Sequence, residues 1–230
     1  MSETAILGSI GNRVDHGKVV RVIGDTVFVS SEKERVNGVV NGAIWMYYRP
    51  TSGWVDQNEG DTLWSSDLSS SKYFANDFDI KSDRLIVGAV FDDDPGNSSG
   101  SVYFFDQPEG GWTSGTENEK FSLVFKQAYH NFFGNSIDIE GDIMVVGSEK
   151  YADNKGKAYV FQKENGKWEK IAELKANEGM PDDLFGRDVA ISGDKILVGA
   201  PGRDLAVDNM GMAYLFIRPI GGWQDTVESA

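Results

Sequence analysis

The chain is built from four copies of one sequence unit. Four tryptophans recur at spacings of 55 to 58 residues, and a glycine stands twelve residues before each of them. The tryptophans are Trp54, Trp112, Trp168 and Trp223. The glycines are Gly42, Gly100, Gly156 and Gly211, and a two-residue turn precedes each, at Gly24-Asp25, Ser82-Asp83, Gly141-Asp142 and Gly193-Asp194. A fixed period of this length is the signature of a repeat architecture, so the fold must pack similar units side by side.

Each copy is predicted to contain four short strands. In the fourth copy we expect strands at 189–192, 195–200 and 212–217, with a fourth that begins at Trp223. The Gly-Asp pairs suit a tight hairpin between strands one and two, because glycine adopts positive φ without steric cost. Strands two and three, such as 143–147, are apolar throughout, which indicates sheets stacked face to face. A glycine that ends strand two is expected to allow close approach of two backbones.

We therefore predict an all-β protein, a single β-propeller domain over residues 1–230 built from four-stranded antiparallel blades. The four blades are expected at about 16–67, 74–125, 133–174 and 185–230. The last blade ends early, at Ala230, so residues 1–15, with a strand around Thr4–Ile10, are expected to complete it. Two arrangements fit the repeat: four blades that close on themselves, and two chains that combine into a larger ring.

The fourth copy carries a family resemblance. The segments FGRDVAISGDKILVGAPGRD (185–204), GMAYLF (211–216) and GGW (221–223) resemble the FG-GAP repeat, which builds the propeller of integrin α subunits and of many bacterial surface proteins. The resemblance covers about residues 16–230. It is weaker in the second copy, which has Ala75 for glycine, and in the first, where His16 and Ser30 replace phenylalanine and glycine. It implies adhesion or recognition, with ligands bound at one end of the propeller.

Composition narrows the classes of function. With 36 acidic and 22 basic side chains, the formal net charge is −14. This disfavours nucleic acid and anionic membranes as partners, because such binding depends on Lys and Arg side chains that neutralise phosphates. The chain has no cysteine, which excludes disulfide frameworks, zinc-thiolate sites and a cysteine nucleophile.

The sequence shows no signal peptide and no apolar stretch long enough to span a bilayer, so no membrane insertion is expected. We expect an extracellular or cell-surface location if a leader has been removed, and otherwise a virion-associated or cytoplasmic one.

The chain is not expected to be an enzyme. Its two histidines are His16, in the phenylalanine position of the repeat, and His130, in a connection between copies. A hydrolytic triad requires a histidine beside a nucleophile and an orienting acid, and no GxSxG, HExxH or Walker motif is present. Both histidines are therefore expected to be structural.

The long polar loops should lie together at one end of the molecule. The connections between strands two and three, at 32–42, 91–100, 149–156 and 202–211, emerge opposite the tight hairpins, as do the connections between copies. Polar loops on a rigid scaffold are where binding residues concentrate. The candidate ligand-face residues are Asp92, Asp93, Asp94, Tyr151, Asp153, Arg203, Asp204, Asp208, Trp64 and Tyr129. The four repeated tryptophans and Trp45 are expected to pack inside the blades.

Calcium is the cofactor that the acidic loops bring into question, and no other cofactor is expected. The turns at the position where the family often binds calcium are too short to supply about six to eight oxygen ligands, so that site is not carried over. The candidate metal ligands are instead Asp93, Asp94, Asp204 and Asp208. The alternative is that these aspartates are solvated residues that keep an acidic protein soluble.

The preferred interpretation is a non-enzymatic binding or adhesion propeller that presents its loops to a protein or glycan partner. The alternative is a structural assembly subunit, such as a virion or surface-appendage component, that acts through homo-oligomerisation. The mass in solution and the native start of the gene together would separate the two: a monomer with a leader favours binding or adhesion, and a leaderless oligomer favours assembly.

Overall fold

The computed structural model describes residues 5–8, 15–58, 60–68, 72–94, 96–124, 130–204 and 210–227. In these residues the protein is all β apart from one short helical segment, α1 (Tyr151–Asn154). No helix among them is long and apolar enough to cross a bilayer.

The repeats form four antiparallel sheets, which we number 1 to 4. The strands of sheet 1 are β1 (His16–Ile23), β2 (Thr26–Ser31), β5 (Ala43–Tyr48) and β6 (Asp61–Trp64). Those of sheet 2 are β7 (Phe74–Lys81), β8 (Arg84–Ala89), β9 (Ser101–Asp106) and β11 (Glu119–Phe121). Those of sheet 3 are β12 (Phe133–Glu140), β13 (Ile143–Ser148), β14 (Lys157–Glu164) and β15 (Lys167–Lys175). Sheet 4 comprises β16 (Asp188–Ser192), β17 (Lys195–Ala200) and β18 (Met212–Ile217).

Four short strands lie outside this pattern. A small hairpin, β3 (Arg35–Val36) and β4 (Val39–Val40), forms within the loop of the first repeat. The other two, β10 (Gly115–Thr116) and β19 (Thr226–Val227), each add in parallel to the outer strand of the sheet before their own repeat.

Successive sheets pack face to face around three apolar cores. In each core, side chains from strands two and three of one sheet meet side chains from strand one of the next. Val145 and Val160 of sheet 3, for example, lie in one buried cluster with Val189 and Ile191 of sheet 4. Burial of apolar surface between sheets is the main stabilising contribution expected for such a stack.

The backbones of neighbouring sheets approach closely at the glycine that ends strand two. A Cβ added to Gly88 would lie 2.0 Å from the carbonyl oxygen of Gly134 in the next sheet. A Cβ added to Gly147 would lie 2.1 Å from the carbonyl oxygen of Gly186. The close approach predicted from the sequence is confirmed at both positions.

The prediction that strand four begins at the tryptophan is wrong for repeats 1, 2 and 4. In repeats 2 and 4 the residue three positions after the tryptophan pairs with the outer strand of the preceding sheet, as Gly115 does with Leu63. In repeat 1 that residue is Gln57, and it forms a bridge with Leu7. The tryptophan itself packs between sheets: Trp112 meets Phe28 edge to face at 5.6 Å. In repeat 3, Trp168 does lie in the outer strand, β15.

The described part of the predicted closing segment lies at sheet 1. Leu7 forms a parallel bridge with Gln57, and the amide of Gly8 donates a 3.0 Å hydrogen bond to the carbonyl of Gln57. Residues 1–4 and 9–14 of that segment lie outside the described residues.

Candidate functional site

The loops between strands two and three form one end of the sheet stack, which we call the loop end. In repeats 1 and 3 a crevice opens there between this loop and the outer strand of the same sheet. The two crevices are equivalent, because Trp45 pairs with Thr62 across β5 and β6 as Tyr159 pairs with Glu173 across β14 and β15. The scaffold is thus repeated, whereas the side chains that line it differ.

The crevice of repeat 3, which we call the lysine crevice, has a volume of about 500 Å³. Its lining includes Tyr151, Lys155, Lys157, Lys175 and Asn177. Lys157 places its Nζ 2.8 Å from a carboxylate oxygen of Glu173 and 4.1 Å from the centre of the Tyr151 ring.

Charge in the lysine crevice is only partly neutralised. Burial alone would raise the pKa of Glu173, but hydrogen bonds from Lys157 and Lys170 lower it, so this carboxyl remains ionised. Lys155 and Lys175 are exposed and form no ion pair with any residue that the structure describes. Two exposed lysines therefore line the same crevice in a chain of net charge −14.

The loop that carries Tyr151 and Lys155 is held by backbone contacts to the next repeat. The amides of Asp182 and Leu184 donate to the carbonyls of Asp153 and Asn154, at 3.2 and 2.9 Å. Asn154 also donates from its side chain to Asp182, at 2.6 Å. Anchoring of this kind fixes the crevice wall before a ligand binds, which reduces the ordering cost of binding.

The crevice of repeat 1 is lined by aromatic side chains. Its volume is about 360 Å³, and Trp45, Trp64 and Arg35 are among its lining residues. Trp45 was expected to be fully packed in the blade, but the structure places it half-buried at this crevice. Trp64, predicted as a ligand-face residue, lies beside it.

In repeat 2 the equivalent position is filled by ion-paired side chains, which we call the lysine–aspartate cluster. Lys72 lies 2.6 Å from Asp67, and Lys120 lies 2.9 Å from Asp92. The hydroxyl of Tyr103 donates a 2.5 Å hydrogen bond to Asp92, which is only 1% exposed. Burial and the Asp92 charge together raise the pKa of Tyr103, so the phenol stays protonated and acts as a donor.

The lysines of the lysine–aspartate cluster hold their acidic partners ionised. Burial alone would lower the pKa of Lys120, but Asp67 and Asp92 raise it above its usual value. Burial alone would raise the pKa of Asp67, but Lys120 and Lys72 lower it. The charges of the cluster neutralise one another, and its side chains fill the position where repeats 1 and 3 have a crevice.

The acidic run proposed as a candidate metal site is engaged by protein groups. Asp92 belongs to the lysine–aspartate cluster, and Asp93 accepts a 2.7 Å hydrogen bond from the Ser98 amide. Asp94 is exposed and lies 3.4 Å from Lys120. Within the described residues, no three His, Asp or Glu side chains converge to hold a metal ion.

The other ligand-face candidates are separated in space. Arg203 is buried and lies 3.3 Å from Asp183, which indicates a structural ion pair. Asp153 is exposed beside the lysine crevice, and Asp204 is exposed next to Arg203. Tyr129 and Asp208 lie outside the described residues. Of the predicted residues that the structure describes, Tyr151 lines the lysine crevice and Trp64 lines the crevice of repeat 1.

The lysines of the crevice were missed by sequence reasoning. Lys155 and Lys157 lie in the loop and at the start of β14, whereas Lys175 ends β15, so Lys175 is distant from the other two in the sequence. The detectable signal was their repeat position, since Lys175 occupies the place that Trp64 occupies in repeat 1.

Comparison with known proteins identifies the repeat. The model of the FG-GAP repeat matches residues 57–105, 127–161 and 168–216, which together make up more than half of the chain. No curated protein matches it. Among 71 matching solved chains is one from an S. cerevisiae structure of Dbp5 bound to Nup159, Gle1, IP6 and ADP. That chain is 17% identical, with a TM-score of 0.45, and the match covers 92% of the present chain and 46% of the other, a likeness too low to support an argument.

Proposed function

Since the chain belongs to the FG-GAP repeat family, we propose that its four sheets are blades of a β-propeller that acts as a non-enzymatic binding module. Proteins built from this repeat are typically non-enzymatic. The role that the family suggests is adhesion at a surface, either of a cell or, in the alternative setting, of a virion or appendage. The loop end is the face that meets a protein or glycan partner.

One observation carries this proposal: the lysine crevice in a chain of net charge −14. Lys155 and Lys175 line a cavity of about 500 Å³ and have no ion-pair partner among the described residues. Charge-assisted hydrogen bonds from ammonium groups to carboxylate or sulfate are stronger than bonds between neutral groups. The crevice therefore suits an acidic group of a ligand, and the wall of Tyr151 adds an aromatic surface.

An acidic glycan is the partner that fits these features best. A uronate or sulfated sugar offers anionic groups for the lysines and ring C–H groups for aromatic side chains. An acidic peptide could also bind these lysines, but it would not need the aromatic crevice of repeat 1. Polygalacturonate, dextran sulfate and polyglutamate are therefore suitable probes, with neutral dextran as the baseline.

The decisive comparison pairs two variants of equal charge. Lys155→Ala/Lys175→Ala removes the crevice lysines, and Lys167→Ala/Lys195→Ala removes two lysines at the opposite, hairpin end. We expect the crevice variant to weaken binding of an anionic glycan about tenfold or more, since each charged contact contributes about 1.5–3 kcal/mol before desolvation costs. The hairpin variant should bind as the parent does. Equal losses would show unspecific charge attraction, and binding of polyglutamate alone would assign a protein partner.

A further inference from the structure

The outward face of sheet 4 is apolar and exposed. In sheets 1 to 3, one cross-strand pair from strands two and three is buried against the next sheet; these pairs are Phe28–Met46, Ile86–Phe104 and Val145–Val160. The equivalent pair in sheet 4 is Leu197–Leu215, with exposures of 45% and 53%. Ile217, on the same face, is 61% exposed. We call these three residues the rear face.

Sheet 1, at the other side of the row of four sheets, exposes the complementary surface. Val20 and Val22 of β1 are 54% and 64% exposed. Their equivalents in sheets 2 to 4 all lie in the cores between sheets; they are Phe78, Ile80, Ile137, Ile139, Val189 and Ile191. We call Val20 and Val22 the front face. The chain thus exposes both halves of an interface that it forms three times internally, and its own front face does not cover its rear face.

The glycine at the end of strand two is also in close contact with the next sheet inside the stack but not at its outer faces. Gly88 and Gly147 are needed because the carbonyl of the next sheet lies about 2 Å from where a Cβ would be. Gly199 holds the equivalent position in sheet 4, yet its nearest neighbour would be 3.7 Å away, within its own sheet. Its counterpart on the front face is Gly17, which has nothing within 4 Å. Both sides of a close backbone contact are present, at opposite ends of the molecule.

Among the described residues, the N-terminal segment pairs as an outer strand does, through the bridge of Leu7 to Gln57. Leu7 pairs in parallel with Gln57 as Leu63 pairs with Gly115, and Leu63 belongs to the outer strand of the preceding sheet. Ile6–Gly8 therefore occupies the outer-strand place of a sheet in front of sheet 1. Among the described residues, sheet 4 has three strands, and β18 pairs only with β17.

We propose that a second copy of this chain docks its front face on the rear face and adds its Ile6–Gly8 strand to β18. The occupant is a second copy because the contact continues the interface between the chain's own sheets. Leu63 faces Ile44, so the same register places Leu7 of the second copy opposite Ala213. A head-to-tail contact closes a ring when its rotation permits, and two copies give eight sheets, within the range of known propellers. This goes beyond binding at the loop end and is independent of it.

Cross-linking tests the register directly, because the chain has no native cysteine. Directly opposed residues of antiparallel strands have Cβ atoms about 4.5–5.5 Å apart, close enough for a disulfide after small adjustment. Leu7→Cys chains mixed with Ala213→Cys chains should form a covalent pair under mild oxidation. Leu7→Cys mixed with Lys167→Cys, at the hairpin end, should not. The proposal would be overturned if the double variant Leu7→Cys/Ala213→Cys formed its disulfide within single chains and the mixture of single variants gave no covalent pair.

The mass in solution tests the interface independently of the strand. The protein should sediment at twice 25.3 kDa at micromolar concentration. Leu215→Lys should raise the dissociation constant about a hundredfold, since a charge would be buried at the centre of an apolar contact. Leu215 is exposed in the single chain, so unfolding of the separated copies should be unchanged. A parent protein that remains a monomer at every concentration tested would refute the proposal.

Discussion

Replacement of Gly147 by alanine tests whether close backbone approach holds the sheets together. The new Cβ would lie 2.1 Å from the Gly186 carbonyl oxygen and 2.4 Å from the Ser136 hydroxyl oxygen. The first contact is with backbone, so sheets 3 and 4 must move apart and loosen the core around Val145. Overpacking of a core costs about 1–3 kcal/mol, and a clash between backbones belongs at the upper end, about 3 kcal/mol.

The matched control is Gly199→Ala, the same substitution at the same repeat position. Its Cβ would meet nothing closer than 3.7 Å, so its unfolding free energy should stay within about 0.5 kcal/mol of the parent. A chain of this size loses about 2–4 °C of melting temperature per kcal/mol, so Gly147→Ala should melt about 6–12 °C lower. Urea titration and thermal melts in dilute solution, where copies are separate, provide the measurement. Equal effects of the two substitutions would refute the close-approach argument.

Three further outcomes follow from the charged groups. Lys72→Met should lower the unfolding free energy by about 3 kcal/mol, because the buried Asp92 then loses one of its two cationic partners. A melting temperature within about 1–2 °C of the parent would contradict this. Burial raises the pKa of Asp77 and Asp138 to about 6, above the usual 3.8, so the folded state binds protons more tightly than the unfolded state does. Stability should therefore fall as the pH rises from 4 to 6, which thermal melts across that range would measure. Asp138→Asn should make that profile shallower, since Asp77 still titrates, and an unchanged slope would assign the pH dependence elsewhere. Millimolar calcium should leave the melting temperature unchanged, because Asp92 is engaged by lysines; a rise of several degrees would restore the metal hypothesis.

The first three strands of each repeat were predictable because their signals are local. A two-residue turn, Gly-Asp in three copies and Ser-Asp in the second, lies between strands one and two and specifies a hairpin, and all four hairpins form. The short strand that follows the tryptophan was not predictable, because its partner is distant. The pairing of Gly115 with Leu63 joins residues of different repeats, and no local pattern signals it.

The site was harder to predict than the sheets because its charges are paired across long sequence distances. Asp92 looks like part of an exposed acidic run, but Lys72 and Lys120 bury it, and each is at least twenty residues away. The lysine crevice has the same character. Clusters assembled from a loop and an outer strand become visible only when the position of each residue in the repeat is compared between copies.

Two of the three departures from the repeat noted in the first and second copies, Ser30 and Ala75, lie at the same boundary between sheets. Gly88 faces Gly134 across the boundary between sheets 2 and 3, so the equivalent residues at the boundary between sheets 1 and 2 are Ser30 and Ala75. Side chains occur on both sides of that one boundary, whereas the next two boundaries have glycine on both sides. At the one internal boundary that lacks glycine, both positions lack it.

Gly199 and Gly17 form the fourth such pair, although they lie at opposite ends of the chain. Gly17 has a φ of 94°, close to the 91° of Gly134 and the 86° of Gly186, so it shares the positive φ found at the close boundaries. Neither glycine is required by a neighbour in the described chain. A matched pair without an internal partner is what a head-to-tail boundary between two copies requires. Gly199→Ala should therefore be silent in the unfolding of separated copies and should weaken their association.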